Sequence, residues 1–256
     1  MKPRSRRSDF RVVLELEDHS ADYAALNRSL TIDPARTAVI TIDMHRGHLD
    51  PVNATLPLPP ETAKQVLIHA RAALRIARKA GVHIVHVVAG VRPIENTRRN
   101  PRRMAHGVLT STRKIVTPAM RKGTPHNILG SVQTELMPEL EQKPSDYVIG
   151  IKKSLSCFIG TDLESLLQTL QTDTLVLMGV NTNTCVQCAA FDSYNRGYKT
   201  IVLADCVASM YGDDLHQLGL ENIARCLGWV LSNDEFVRKV ATAWPARVRR
   251  RARGGG

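Results

Sequence analysis

The sequence predicts an α/β protein: a three-layer, doubly wound sheet of six parallel strands with helices on both faces. Three observations carry this. Short apolar runs alternate with helical patterns from residue 37 onward, as βαβ units around a parallel sheet require. The runs are apolar on both faces, as strands covered from two sides must be. The 256 residues, 43% of them apolar, suffice for one sizeable core. The chain divides into an N-terminal extension over 1–36, one domain over 37–244, and a basic tail over 245–256 with the composition of a disordered segment.

The elements follow in order. Thr37-Ala-Val-Ile-Thr-Ile-Asp43 reads as the first strand. Pro59 to Ala80 is an amphipathic helix, with Val66, Ala70, Ala73, Leu74 and Ala77 on one face and Gly81 as its stop. Val82 to Ala89 is the second strand. Residues 90–130 break the alternation with Arg, Pro and Gly; a connection this long inside a compact domain is usually functional, and a lid or a subunit contact is expected. Asp146 to Lys152 is the third strand, and Thr161-Asp-Leu-Glu164 has the capping-box pattern that opens a helix running to about Gln171. Thr174 to Val180 is the fourth strand, Thr184 to Arg196 a helix closed by Gly197, and Lys199 to Asp205 the fifth strand. A helix near Asp214 to Cys226, a strand at Gly228 to Ser232 and a helix from Asn233 complete the set.

Charge and cysteine content narrow the function classes. Of the net charge of +11, residues 1–11, 92–123 and 245–256 carry +17, which leaves the rest at −6. A mildly acidic body with basic tails and one basic loop is not a nucleic-acid-binding face. Five cysteines cannot all pair within one chain, and no repeated metal-binding dipeptide is present, so reduced thiols are expected rather than disulfides or a structural zinc. No stretch approaches about 20 uninterrupted apolar residues, and the N-terminus lacks the apolar run of a secretory signal. A soluble, cytoplasmic protein with no membrane partner is expected.

Three residues stand where ligands bind in open parallel sheets, beyond the carboxyl ends of the strands. Asp43 ends the first strand, Lys152 ends the third, and Cys185 follows the fourth through Asn181-Thr-Asn-Thr at a helix start. Each alone has an ordinary explanation: a turn residue, a surface charge, a core thiol. Together they supply a nucleophile, an electrostatic partner and a base. A thiolate is stabilised by the free N–H groups of a helix N-terminus and by a nearby ammonium, and a carboxylate can take and return its proton. The loop would also bring backbone N–H groups near the thiol, as an oxyanion hole demands.

Four stretches, spanning residues 37–240 in order, resemble the isochorismatase-like cysteine hydrolases: Ala38-Val-Ile-Thr-Ile-Asp-Met44; Lys152-Lys-Ser-Leu-Ser-Cys-Phe158 with Gly160-Thr-Asp-Leu-Glu164; Gly179-Val-Asn-Thr-Asn-Thr-Cys-Val186; and Asp192-Ser-Tyr-Asn-Arg-Gly-Tyr198 leading to Ala204-Asp205. The resemblance implies that Cys185 is the nucleophile, Asp43 the general base and later acid, and Lys152 the residue that polarises them. Lys152 is preferred to Lys153 because the family's lysine stands six residues before the Phe that is here Phe158. The family pattern further implies a cis peptide between Val180 and Asn181, with the N–H groups of Asn181 and Cys185 aimed at the substrate oxyanion. It implies hydrolysis of a small amide, ureide or N-carbamoyl compound through a thioester in a homodimer or homotetramer; no cofactor or metal is expected.

Departures from the family pattern mark the open points. His45 replaces a Gln found in several members and is a candidate substrate contact or a partner of a nearby carbonyl. His83 and His86 are three apart in a strand and so point to opposite faces, which argues against the nicotinamidase metal site. Arg92, Arg98, Arg99, Arg102 and Arg103 are candidates to clamp a substrate carboxylate or to meet a second subunit, and Phe158 is a candidate substrate contact. Vinyl-ether hydrolysis of the isochorismatase type needs no thiol. Cys185-Val-Gln-Cys188 also resembles a dithiol oxidoreductase motif, against which stand the Asp43 and Lys152 matches. A binding or scaffolding role of the basic loop is the third alternative.

Overall fold

Thr37–Ile42 form β1, in which all six residues are buried. Along it Val39 enters one apolar cluster, while Ala38, Ile40 and Ile42 enter another on the opposite face, the period-two division of a central strand. The computed structural model describes residues 15–17, 19–97 and 114–241. Arg98, Arg99, Arg102, Arg103 and the basic tail lie outside them.

His83–Ala89 form β2, Tyr147–Lys152 β3, Thr174–Val180 β4, Lys199–Ala208 β5 and Trp229–Leu231 β6. The sheet order is β3-β2-β1-β4-β5-β6, with every pairing parallel. The chain winds outward from β1 to one edge and then returns to build the other, so the order reverses between β1 and β4. In such sheets the crevice beyond the carboxyl ends at this reversal is where ligands bind.

Helices cover both faces. Helix α1 spans Ser20–Ser29, α2 Arg46–Leu49, α3 Pro60–Ala80, α4 Pro93–Thr97 and α5 Pro118–Arg121; α6 spans Leu163–Thr169, α7 Gln187–Asn195 and α8 Asp213–Cys226, and a helix begins at Asn233. The predicted stripe of α3 is buried together with Phe236 and Val240 of the last helix. Leu163 and Leu167 of α6, Ala189 and Ala190 of α7 and Ile223 of α8 fill the other face. Gly81 closes α3 with φ of 76°, a left-handed conformation that glycine adopts without steric cost.

Three local expectations change. Asp162, not Thr161, occupies the N-cap of α6 without a side-chain cap bond. The Thr161 hydroxyl donates to the carbonyl of Cys157 at 2.5 Å and accepts from the Leu163 N–H at 3.4 Å, not from that of Glu164 as a capping box requires. The helix expected from Thr184 begins as a π-turn over Thr182–Val186, because the Val186 N–H reaches back five residues to the Asn181 carbonyl. Part of the N-terminal extension also belongs to the domain body: Asn27 donates to the Val230 carbonyl of β6, and Leu30 and Ile32 are core residues.

Candidate active site

Asp43 is the first residue beyond β1 and carries φ of 55°, a left-handed turn that Asp tolerates better than most residues. Its N–H donates to the Val87 carbonyl of β2, which anchors the turn to the neighbouring strand. Opposite, Gly179 pairs with Ile42 at φ of 127°, and a Cβ there would stand 2.0 Å from the Ile42 carbonyl oxygen. Only glycine lets β4 come this close to the strand end that presents Asp43. One residue on, the Val180–Asn181 bond is cis.

The segment after that bond is held by its own side chains. Asn181 Oδ1 accepts from the Met210 N–H at 2.9 Å, Thr182 Oγ1 lies 2.8 Å from His216 Nδ1 on α8, and Asn183 Oδ1 accepts from Ser209 Oγ at 2.7 Å. The residues between β4 and Cys185 are therefore tied to the end of β5 and to α8. This fixes the sulfur to the frame.

Lys152, the last residue of β3, reaches across the strand ends. Its Nζ donates to Asp43 Oδ2 at 2.7 Å and lies 3.4 Å from Cys185 Sγ. All three side chains are buried. Lys153 instead turns to Glu95, outside this cluster. Burial alone would raise the Asp43 pKa, but the Lys152 ammonium, with smaller contributions from His45 and His48, outweighs it and the carboxyl is held below its usual range. Burial alone would lower Lys152, yet Asp43, together with Cys185 and Cys157, more than offsets it and the ammonium is held cationic. Burial pushes the Cys185 thiol up to about 12, with Lys152 opposing and Asp43 adding to the rise. The resting cluster is thus a carboxylate, an ammonium and a protonated thiol. Asp43 Oδ1 has no hydrogen-bond partner among the described residues and is the oxygen left to take a proton.

Asp43, Lys152, Asn181 and Cys185 all line one cavity of about 440 Å³. Met120, Thr124, Pro125, His126 and Asn127 from the long connection form part of its wall, with His48 and Thr55 from the segment after Asp43 and Tyr211 beyond β5. The two segments are stitched together: Thr117 Oγ1 donates to the Ala54 carbonyl, and Gln133 Nε2 to the Asn53 carbonyl. Within the described part of the 90–130 connection, the stretch from Met120 to Asn127 thus supplies a cavity wall.

The remaining candidates lie elsewhere. His45 is fully buried and does not line the cavity; its Nδ1 accepts from the Gly47 N–H at the start of α2, and burial lowers its pKa to about 3. Arg92 is exposed and paired with Glu95 in its own turn of chain. Phe158 belongs to the core, with the Arg196 guanidinium 4.4 Å over its ring. His86 is a core residue, its Nδ1 2.7 Å from Thr41 Oγ1 and its Nε2 3.4 Å from Asp146 Oδ2. Among the described residues no group of three or more His, Cys, Asp or Glu is placed to hold a metal ion, and no helix is long and apolar enough to cross a membrane. Sequence reasoning missed His48, His126, Asn127 and Tyr211, since no spacing rule connects these loops to the strand ends.

Comparison with known proteins identifies the family. The ureidoacrylate amidohydrolase RutB of Methylobacterium radiotolerans is 29% identical over 215 residues, covering 78% of each chain. The maleamate amidohydrolase of Pseudomonas putida is 27% identical over 80% of this chain and 87% of its own. The crystal structure of a cysteine hydrolase from Pseudomonas syringae pv. phaseolicola superposes with a TM-score of 0.70 at 25% identity, over 84% of this chain and 97% of the other. The family model of the isochorismatase domain matches residues 37–235, from β1 through the start of the last helix. With its sheet order, its strand-end cluster and this match, the chain belongs to the isochorismatase domain family.

Proposed function

We propose that the chain is a cysteine-dependent amidohydrolase that cleaves the C–N bond of a small linear amide, ureide or N-carbamoyl compound through a thioester on Cys185. The observation that carries this is the Lys152 ammonium, in contact with both Asp43 and Cys185 at the wall of one cavity. The names of the relatives, amidohydrolases of ureidoacrylate and maleamate, support the same reaction class.

In the proposed cycle Asp43 Oδ1 takes the thiol proton as sulfur attacks the substrate carbonyl carbon. The Lys152 ammonium stabilises the developing thiolate, and the N–H groups of Asn181 and Cys185 receive the oxyanion. Asp43 then returns the proton to the departing nitrogen, and the C–N bond breaks to leave the thioester. Water, deprotonated by Asp43, attacks the thioester; the acid is released and the sulfur recovers its proton. A thiol that is protonated at rest suits this order, because the base removes the proton only as the nucleophile reacts.

The reading extends to a homodimer or homotetramer in a reducing, cytoplasmic setting. Val148 and Ile151 of the edge strand β3, with Leu155 and Ile159 beyond it, are exposed apolar residues suited to a second copy, and light scattering of the purified protein reads the oligomeric state. For the chemistry, a panel of N-carbamoyl amino acids, biuret-like ureides, simple amides and hydrazides is assayed by ammonia or amine release. Turnover by the wild type and its loss in Cys185→Ala support the proposal. Full turnover in Cys185→Ala overturns it.

A further inference from the structure

Granting the amidohydrolase reading, the cavity also carries information about what it holds. Its described walls contain no arginine, and its two lysines are both engaged by carboxylates, Lys152 by Asp43 and Lys153 by Glu95. A substrate carboxylate would have to compete for them. The wall contains instead a buried histidine whose orientation is fixed.

His48 is 6% exposed and lies in α2. Its Nδ1 is 3.0 Å from the Leu56 carbonyl oxygen, and a carbonyl only accepts, so Nδ1 carries the proton. The ring is bracketed by His45, with centroids 4.7 Å apart, and by the edge-on His126 at 5.5 Å. His126 is itself held, its Nδ1 2.7 Å from Thr55 Oγ1 and its Nε2 3.1 Å from Asn127 Nδ2. The tautomer and the ring plane of His48 are therefore both set. A neutral imidazole donating through Nδ1 leaves Nε2 as an acceptor, and the described residues offer Nε2 no hydrogen-bond partner.

We propose that His48 is a specificity-determining residue whose Nε2 accepts a hydrogen bond from a substrate N–H, so that the cavity selects uncharged amides and ureides over analogues with oxygen in place of that nitrogen. Burial lowers the His48 pKa and the Lys152 charge lowers it further, against an opposing pull from Asp43. The ring thus stays neutral and accepting near pH 7. An ether oxygen or carboxylate facing Nε2 would set acceptor against acceptor, and a site built to bond an N–H rejects such an analogue because its own polar group is left unpaired.

The test compares biuret with methyl allophanate, in which a terminal amino group is replaced by methoxy. Binding is measured by calorimetry to Cys185→Ala, which is not expected to turn either over, so the result does not depend on catalysis. Biuret is expected to bind about tenfold or more tightly. Adding His48→Phe, which keeps a ring but removes the acceptor, should bring the ratio near one. Adding His48→Gln, which restores an acceptor, should recover most of it. Each variant's melting temperature shows that it is folded. Equal binding of the two ligands, failure of biuret to bind, or a ratio unchanged in His48→Phe would overturn the proposal. Failure of the amidohydrolase reading shows separately, as absence of wild-type turnover across the whole panel.

Discussion

Lys152 Nζ lies 2.7 Å from Asp43 Oδ2, and both side chains are withdrawn from solvent. The pair joins β3 to β1 across β2, so it is structural as well as chemical. Removing either partner leaves an uncompensated buried charge, which costs about 3–5 kcal/mol. Lys152→Met and Asp43→Asn should each destabilise the fold by roughly that amount, and the double variant by clearly less than the sum of the two. Urea denaturation of the four proteins gives the coupling directly.

The same pair sets a pH window. The folded Asp43 pKa is depressed, so its contribution is present above the usual 3.8 and is lost as pH falls through the lower folded value. The folded Lys152 pKa is raised, so its contribution is present below the usual 10.5 and is lost only as pH rises through the higher folded value. The pair's stabilisation is therefore full between those limits. Burial is the largest influence on Asp43, and Lys152 is the main one opposing it. In Lys152→Met the Asp43 carboxyl should titrate upward by on the order of a unit or more, as read from its carboxyl carbon by NMR. A titration unmoved by the substitution would contradict the account of the cluster.

The two cysteines of Cys185-Val-Gln-Cys188 should behave differently. Both are free thiols, and Cys188 Sγ makes only a 4.0 Å contact with Asp192 while Cys185 lies on Lys152. Cys188→Ser is expected to keep turnover within about threefold, whereas Cys185→Ala should lose at least about a thousandfold, as nucleophile removal does in other hydrolases. A dithiol oxidoreductase would need both sulfurs and would reduce insulin. Comparable losses in the two variants, accompanied by insulin reduction, would favour that chemistry.

The sheet was legible because its strands are continuous apolar runs whose ends coincide with punctuation residues. Asp43, Lys152 and Cys185 were legible for the same reason: each sits at a strand end or one short loop beyond it, where topology alone brings residues together. His48 and His126 were not. They are 78 residues apart in the sequence and meet because Thr117, His126 and Gln133 fasten the long connection to the segment after Asp43. Polar loop-to-loop bonds of this kind leave no periodicity. Arg92 is the reverse case. A basic run near a strand end reads as an anion clamp, yet Glu95, three residues on, takes the guanidinium. Arg92→Ala should accordingly shift KM by less than about twofold.

Gly179 is the position where fold and chemistry are least separable. A Cβ there would lie 2.0 Å from the Ile42 carbonyl oxygen and within 2.8 Å of two further backbone atoms of that residue, and φ is 127°. Backbone cannot swing aside as a side chain end does, so Gly179→Ala must push β4 away from β1 or twist both. Gly160 is the control: its φ is 72°, but an added Cβ meets nothing within 4 Å. Gly160→Ala should therefore cost only the conformational penalty, about 1 kcal/mol. Gly179→Ala should cost several times that by urea denaturation. It should also lower kcat in the fraction that remains folded, because Ile42 leads directly into Asp43 and Gly179 leads through Val180 into Asn181. A Gly179→Ala protein with wild-type kcat and a stability loss no larger than that of Gly160→Ala would show that the close approach of the two strands is not what holds the carboxylate and the nucleophile loop in register.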